Sequence, residues 1–175
     1  MEHTDDAIFA QKAAPIRLLL TDCDGVLTDA GVYYSPRGEE LKRFSIRDGM
    51  GVERLRRLCG VDTGIITGEN SPIVARRAEK LQMTHVYLNV KDKAACLRTL
   101  LATHGLQPEE VAYIGDDTND RDVLQLVGLS ACPADALPAI KAIVHYICAA
   151  PGGHGAFREF AEWIIYLKTS KTPSA

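Results

Sequence analysis

The chain has 175 residues, of which 46% are hydrophobic, enough to bury the core of one domain without help from disulfides. A formal charge of -3 and a pI near 5.9, with lysines and arginines scattered among acids, leave no basic footprint for nucleic-acid phosphates. No apolar run approaches the ~20 residues that span a bilayer, and five widely spaced cysteines without a CxxC pair read as reduced core residues, so the expectation is a cytoplasmic protein with neither a nucleic-acid nor a membrane partner.

Residues 1–14 mix Glu2, Asp5, Asp6 and Lys12 with short apolar stretches and read as a flexible tail without a signal-peptide core. One domain is expected over 15–168, and a second tail over 169–175. The apolar run 16–21 predicts the first strand. Between it and a helix over 49–59 lies a segment in which Gly31-Val-Tyr-Tyr and Glu40-Leu-Lys-Arg-Phe flank the turn Ser35-Pro-Arg-Gly38, the pattern of a β-hairpin flap covering about 30–46. Further strands are predicted over 63–67, 85–88, 111–115 and 129–132, with an edge strand over 145–147. They alternate with helices over 72–81, 93–104, 120–127, 137–143 and 156–167, an order that means a parallel sheet wrapped by helices. Asp92 suits the N-cap of the helix at 93, Gly105 its end, and Pro72 a first helical position.

In an open α/β sheet, ligands bind beyond the carboxyl ends of the strands. The residues there are Asp22-Cys-Asp24-Gly25 after the first strand, Thr67-Gly68-Glu69-Asn70 after the second, Lys91-Asp92-Lys93 after the third, and Asp116-Asp117 with Asp120 after the fourth. So many carboxylates at one edge would repel one another unless a cation stood among them. An all-oxygen set without His or Cys selects a hard ion, and Mg²⁺ suits a site that also holds a phosphate. Asp22 can attack phosphorus, and Asp24 beyond a tight turn can protonate the leaving alkoxide and then activate water. Lys93 and Thr67 can meet the equatorial oxygens, although taken alone Thr67 reads equally as a helix cap and Lys93 as a solvated lysine. There is no GxxxxGK[ST], and Val52-Glu53-Arg54 after Gly49-Met-Gly51 breaks the dinucleotide fingerprint.

The motifs Asp22-Cys-Asp-Gly-Val-Leu-Thr28, Ile65-Ile-Thr-Gly68, Lys93 and Gly115-Asp-Asp-Thr-Asn-Asp120 resemble, in order and position, those of haloacid-dehalogenase-type phosphatases. Ile46-Arg-Asp-Gly49 after a hairpin, and Gly152-Gly-His-Gly-Ala156 followed by Arg158-Glu159, narrow the likeness to the capless branch acting on 3-deoxy-2-keto sugar-acid phosphates. The resemblance covers 16–167. It implies a Rossmann-like doubly wound α/β fold with a hairpin flap and no cap domain. It also implies a role in sugar-acid biosynthesis, for lipopolysaccharide or sialic acid, and a homotetramer whose flaps and tails close neighbouring sites.

Carried over, the metal ligands are Asp22, the backbone carbonyl of Asp24 and Asp116, with Asp117 and Asp120 behind them. Arg47 and Asp48 would face the sugar acid together with Gly68, and Arg158 either joins them or only decorates a helix start. Glu69, where octulosonate enzymes carry Arg, together with Lys80 resembles the pair of the nine-carbon branch. The expectation therefore leans to 2-keto-3-deoxynononate 9-phosphate over 3-deoxy-D-manno-octulosonate 8-phosphate. His154 also departs from the octulosonate pattern. A non-catalytic oligomerisation module related to sugar-acid cytidylyltransferases is the remaining alternative.

Overall fold

The apolar run after residue 15 forms β1 (Leu18–Thr21), buried along its whole length, and the sheet grows on both sides of it. The computed structural model describes residues 2–170, the side chains of residues 2–6 excepted. Around β1 the elements are α1 (Glu2–Ala13), β2 (Tyr33–Ser35), β3 (Gly38–Leu41), α2 (Ile46–Cys59), β4 (Asp62–Ile66), α3 (Pro72–Lys80) and β5 (His85–Tyr87). There follow α4 (Lys93–His104), β6 (Val111–Ile114), α5 (Arg121–Leu126), β7 (Leu129–Cys132), α6 (Pro138–Lys141), β8 (Tyr146–Ile147) and α7 (Ala156–Thr169).

Six strands pair in parallel in the order β5-β4-β1-β6-β7-β8. The chain winds outward from β1 to β4 and β5, then returns to place β6 on the other side. The strand order therefore reverses between β1 and β6, and the crevice at their carboxyl ends is where such a sheet binds ligands. Period-two alternation sends Leu19, Ile65 and Ile114 to one face, where they meet Val52, Leu55, Phe157, Phe160 and Ile164 of α2 and α7. Leu18, Leu20 and Tyr113 go to the other, against Leu97, Leu100 and Leu124 of α4 and α5. Both faces are covered, which is why the strands read as nearly unbroken apolar runs.

Local chemistry sets the helix ends. Asp92 Oδ1 accepts the Ala95 amide at 2.8 Å and Gly105 closes the last turn of α4, as expected. α2 starts at Ile46, three residues before the predicted 49, because the Ser45 hydroxyl accepts from the amides of Arg47 and Asp48. The helix expected over 120–127 is divided into a 3-10 turn at Thr118–Asp120 and α5. Between β1 and α2 the only inserted strands among the described residues are those of the antiparallel hairpin β2–β3, with Tyr34 opposite Glu39.

The stretch expected as a flexible N-terminal tail is helical from residue 2. Its Phe9 ring packs edge-on against Trp163 of α7 at 5.2 Å, and Ala13 is buried. The Lys168 ammonium donates to the carbonyls of Ala13, Ala14 and Ile16 just past its end, so tertiary contacts supply what the weak local pattern lacks. At the other terminus α7 runs to Thr169, within the expected tail, whose residues 171–175 lie outside the described residues. Among the described residues no helix is long and apolar enough to cross a membrane.

Candidate active site

Beyond β1 the Asp22 amide donates to the Ile114 carbonyl at 3.0 Å, carrying the β1–β6 pairing one residue further. The chain then turns over the Cys23 carbonyl, which accepts from the amides of Val26, Leu27 and Thr28. Gly25 sits in that turn with φ +97°, and a Cβ there would lie 2.1 Å from Asp116 Oδ2. Glycine is thus required both by the backbone and by the carboxylate passing beside it.

Asp22 Oδ1 stands 2.7 Å from the ammonium of Lys93, the buried first residue of α4. The same ammonium lies 2.7 Å from Asp120 Oδ1, which also accepts the Tyr113 hydroxyl at 2.6 Å. Asp120 Oδ2 accepts the amides of Asp116 and Asp117. Asp120, wholly buried, therefore clamps Lys93 and the loop after β6 together. Its lone pairs are largely used by these donors. Asp117 turns outward to accept from the amide and hydroxyl of Thr118. Thr67 is buried at the end of β4 and accepts the Glu69 amide, while Gly68 accepts from Lys91 through its carbonyl.

Electrostatics single out a cation site. Asp22, Asp116 and Asp120 bring carboxylate oxygens within 4.8 Å of one another, and one ammonium, Lys93, faces these three carboxylates. Burial first, then repulsion from Asp120, pushes Asp22 up to about 6 despite Lys93. Burial, then Asp22, Asp120 and Asp117, pushes Asp116 up to about 8. Burial pulls Lys93 down, but Asp22 and Asp120 outweigh it and hold its pKa above the usual value. Asp116 Oδ1 is buried without a hydrogen-bond partner. An orphaned carboxylate oxygen in an all-oxygen cluster of three acids that one ammonium serves fits a hard divalent cation such as Mg²⁺.

The residues expected at the sugar end are spread more widely. Arg47 and Glu69 are exposed at the starts of the segments that follow the flap and β4. Asp48, expected to face the sugar acid, is instead buried: its Oδ1 accepts the Arg158 amide at 2.9 Å and caps α7, a helix start with no side-chain cap of its own. The Arg158 guanidinium is engaged by Glu162 one turn on, beside Arg54. Lys80 is exposed and lines a shallow depression with Glu53, Arg56 and Gln82. Within one chain these last three side chains do not join the Asp22 cluster.

Two participants were not anticipated. Tyr113 hides in the strand pattern as a core aromatic. Lys42 follows β3, and its ammonium lies 2.7 Å from both carboxylate oxygens of Asp24. Nothing in the sequence marks it, since the exposures are the reverse of what the residue types suggest: Leu41 is 63% exposed and the side chain of the following lysine 1% exposed. The tail motif also lies against the site: the Gly153 amide donates to the Val26 carbonyl, and a Cβ on Gly152 would sit 1.9 Å from the Gly25 carbonyl oxygen.

The haloacid dehalogenase-like hydrolase profile matches residues 69–158. A 3-deoxy-D-manno-octulosonate 8-phosphate phosphatase of Yersinia pestis is 45% identical over 161 residues, which is 92% of this chain and 84% of the relative. The crystal structure of a Yersinia pestis phosphatase of that name superposes with a TM-score of 0.87 at 43% identity, covering 92% and 86% of the two chains. The Moraxella catarrhalis phosphatase of that name, in complex with magnesium ion, phosphate ion and a KDO molecule, superposes at 0.89 with 34% identity, covering 94% of each chain.

Proposed function

The chain belongs to the haloacid dehalogenase-like hydrolases and is a Mg²⁺-dependent phosphatase, and from that premise we propose that it hydrolyses 3-deoxy-D-manno-octulosonate 8-phosphate through an aspartyl-phosphate on Asp22. The observation that carries the chemistry is the Asp22–Lys93 pair beside the orphaned Asp116 oxygen at the strand reversal. Asp22 Oδ attacks phosphorus as the ester oxygen departs. Asp24 gives that oxygen its proton, then takes one from the water that cleaves the aspartyl-phosphate. Lys93 and Thr67 hold the equatorial oxygens, and Asp120 keeps Lys93 aimed at them. When bound, Mg²⁺ neutralises charge on the phosphoryl group and the carboxylates; Asp22, the Asp24 carbonyl and Asp116 are the residues to hold it.

The relatives favour the eight-carbon substrate, and the lean to the nine-carbon acid drawn from Glu69 and Lys80 finds no support. The Lys80 side chain lies among Glu53, Arg56 and Gln82, and Glu69 is exposed. Arg47, Gly68 and Glu69 remain the proposed contacts to the sugar acid, Arg47 suiting its carboxylate. A homotetramer is part of the same reading. It is supported by exposed Tyr33, Tyr34 and Leu41 on the hairpin and Ile46 at its base, an apolar surface of the kind that interfaces cover. Five free cysteines favour a reducing, cytoplasmic setting. A purely structural module would have no use for so costly a carboxylate cluster.

The test is phosphate release from the eight-carbon and nine-carbon sugar-acid phosphates side by side, with Mg²⁺ and with chelator. A higher kcat/KM for the eight-carbon ester is expected. Preference for the nine-carbon ester would reinstate Glu69 as a reader of the longer chain, and hydrolysis of neither would remove the sugar-acid assignment.

A further inference from the structure

Lys42 is a buried cation that the mechanism above does not use. Its two 2.7 Å contacts reach both oxygens of the Asp24 carboxylate, and Thr28 donates to Asp24 Oδ1 at 3.2 Å. On its other side the ammonium lies 3.4 Å from Glu39 Oε2. The other oxygen of Glu39 accepts the hydroxyl of Ser71, the residue that opens α3 four positions after Thr67. A chain of contacts thus runs from the turn after β1, through the flap, to the segment after β4.

Burying an ammonium is costly unless its donors are met, so a lysine that merely fastened the hairpin would serve as well at the rim with its head in water. The flap has other ties: the Thr28–Phe44 bridge, and Arg43 donating to the Gly153 carbonyl. What Lys42 adds is that both oxygens of Asp24 are held at once. A carboxylate that must meet a departing oxygen loses about a hundredfold in rate when misplaced by about an ångström.

We infer that Lys42 is a positioning residue that fixes the Asp24 carboxylate for proton transfer and, through Glu39 and Ser71, makes that orientation depend on the seating of the flap. The inference rests on Asp24 acting as the acid and base.

The test uses the full chain with Mg²⁺ and two esters in single-turnover and burst experiments. One is the alkyl phosphate that the wild type hydrolyses, whose leaving group needs a proton. The other is p-nitrophenyl phosphate, whose phenolate leaves without one. Asp24→Asn is expected to slow the first transfer from the alkyl ester by about a hundredfold, and Lys42→Met by about tenfold or more. KM and the aryl burst should change less than about threefold, and the double variant should be no slower than Asp24→Asn alone. Equal losses on both esters, a change confined to KM, or losses that multiply in the double variant would overturn the role of Lys42. If Asp24→Asn itself leaves the alkyl-to-aryl ratio unchanged, the acid assignment falls and takes the inference with it. Should Lys42→Met fail to fold, Glu39→Gln carries the same comparison. It loosens one side of the ammonium, with an expected loss of about threefold on the alkyl ester only, and an equal loss on both esters counts against the inference.

Discussion

Mg²⁺ binding near pH 7 is expected to expel about one proton, because burial and three neighbouring carboxylates push Asp116 up to about 8 while Asp22 reaches only about 6. Removing a proton from a group whose pKa lies about one unit above the pH costs about 1.4 kcal/mol, so affinity near pH 7 should be about tenfold weaker than at about pH 9. The logarithm of affinity should climb by about one per pH unit between about 6 and 8 and flatten above. Titration calorimetry in buffers of different ionisation enthalpy reads the released proton directly, and Asp116→Asn should lose both the release and most of the affinity.

The metal-free protein should respond in the opposite sense. An acid whose pKa is raised from 3.8 to about 8 by folding keeps its proton in the folded chain and loses it in the unfolded one. In chelator, stability should therefore fall as pH rises from about 4 to about 8, with Mg²⁺ restoring most at the alkaline end. Affinity independent of pH over that range, with no proton release, would refute the electrostatic account of the site.

Three other outcomes are expected. Asp22→Asn should lower kcat by about a thousandfold or more with an unchanged circular dichroism spectrum, and retained turnover would remove Asp22 as nucleophile. Gly152→Ala places a methyl 1.9 Å from the Gly25 carbonyl oxygen. It should cost about 2 kcal/mol in a denaturant titration and depress kcat, and wild-type values for both would show that the tail does not brace the turn after β1. Shortening the hairpin across 34–40 should weaken the oligomer in sedimentation and raise KM together; if neither changes, the flap has no part in closing the site.

Legibility in the sequence followed the range of the interactions. The ends of α4 were readable because Asp92 and Gly105 act within one turn of it. The carboxylates of the site were readable because strand ends in a parallel sheet converge, so that Asp22 and Asp116 meet once β1 and β6 are adjacent. α1 was not readable, since the groups that hold it, Trp163 and Lys168, lie some 150 residues further along. Lys42 escaped for a similar reason. In a charged run a lysine is ordinarily solvated, whereas here it meets Asp24, a partner 18 positions earlier in the chain. The resemblance carried by Ile46-Arg-Asp-Gly49 sets Asp48 beside Arg47 facing the sugar acid, and a sequence pattern carries no sign of a contact to a distant backbone amide. In the folded chain Asp48 Oδ1 accepts the amide of Arg158, 110 residues away, while its Oδ2 is buried without a partner.

The packing of Gly152 and Gly153 onto the turn after Asp22 also sets an order in time. A chain emerging from the ribosome makes Asp22 well before the backbone that packs onto the turn beside it, which comes after β8 and just ahead of α7, the helix that Asp48 caps and that begins at Ala156. Until Gly152 and Gly153 are made that turn has nothing in their place to pack against, so the loop that carries Asp22 is braced only after all six strands of the sheet have been synthesised.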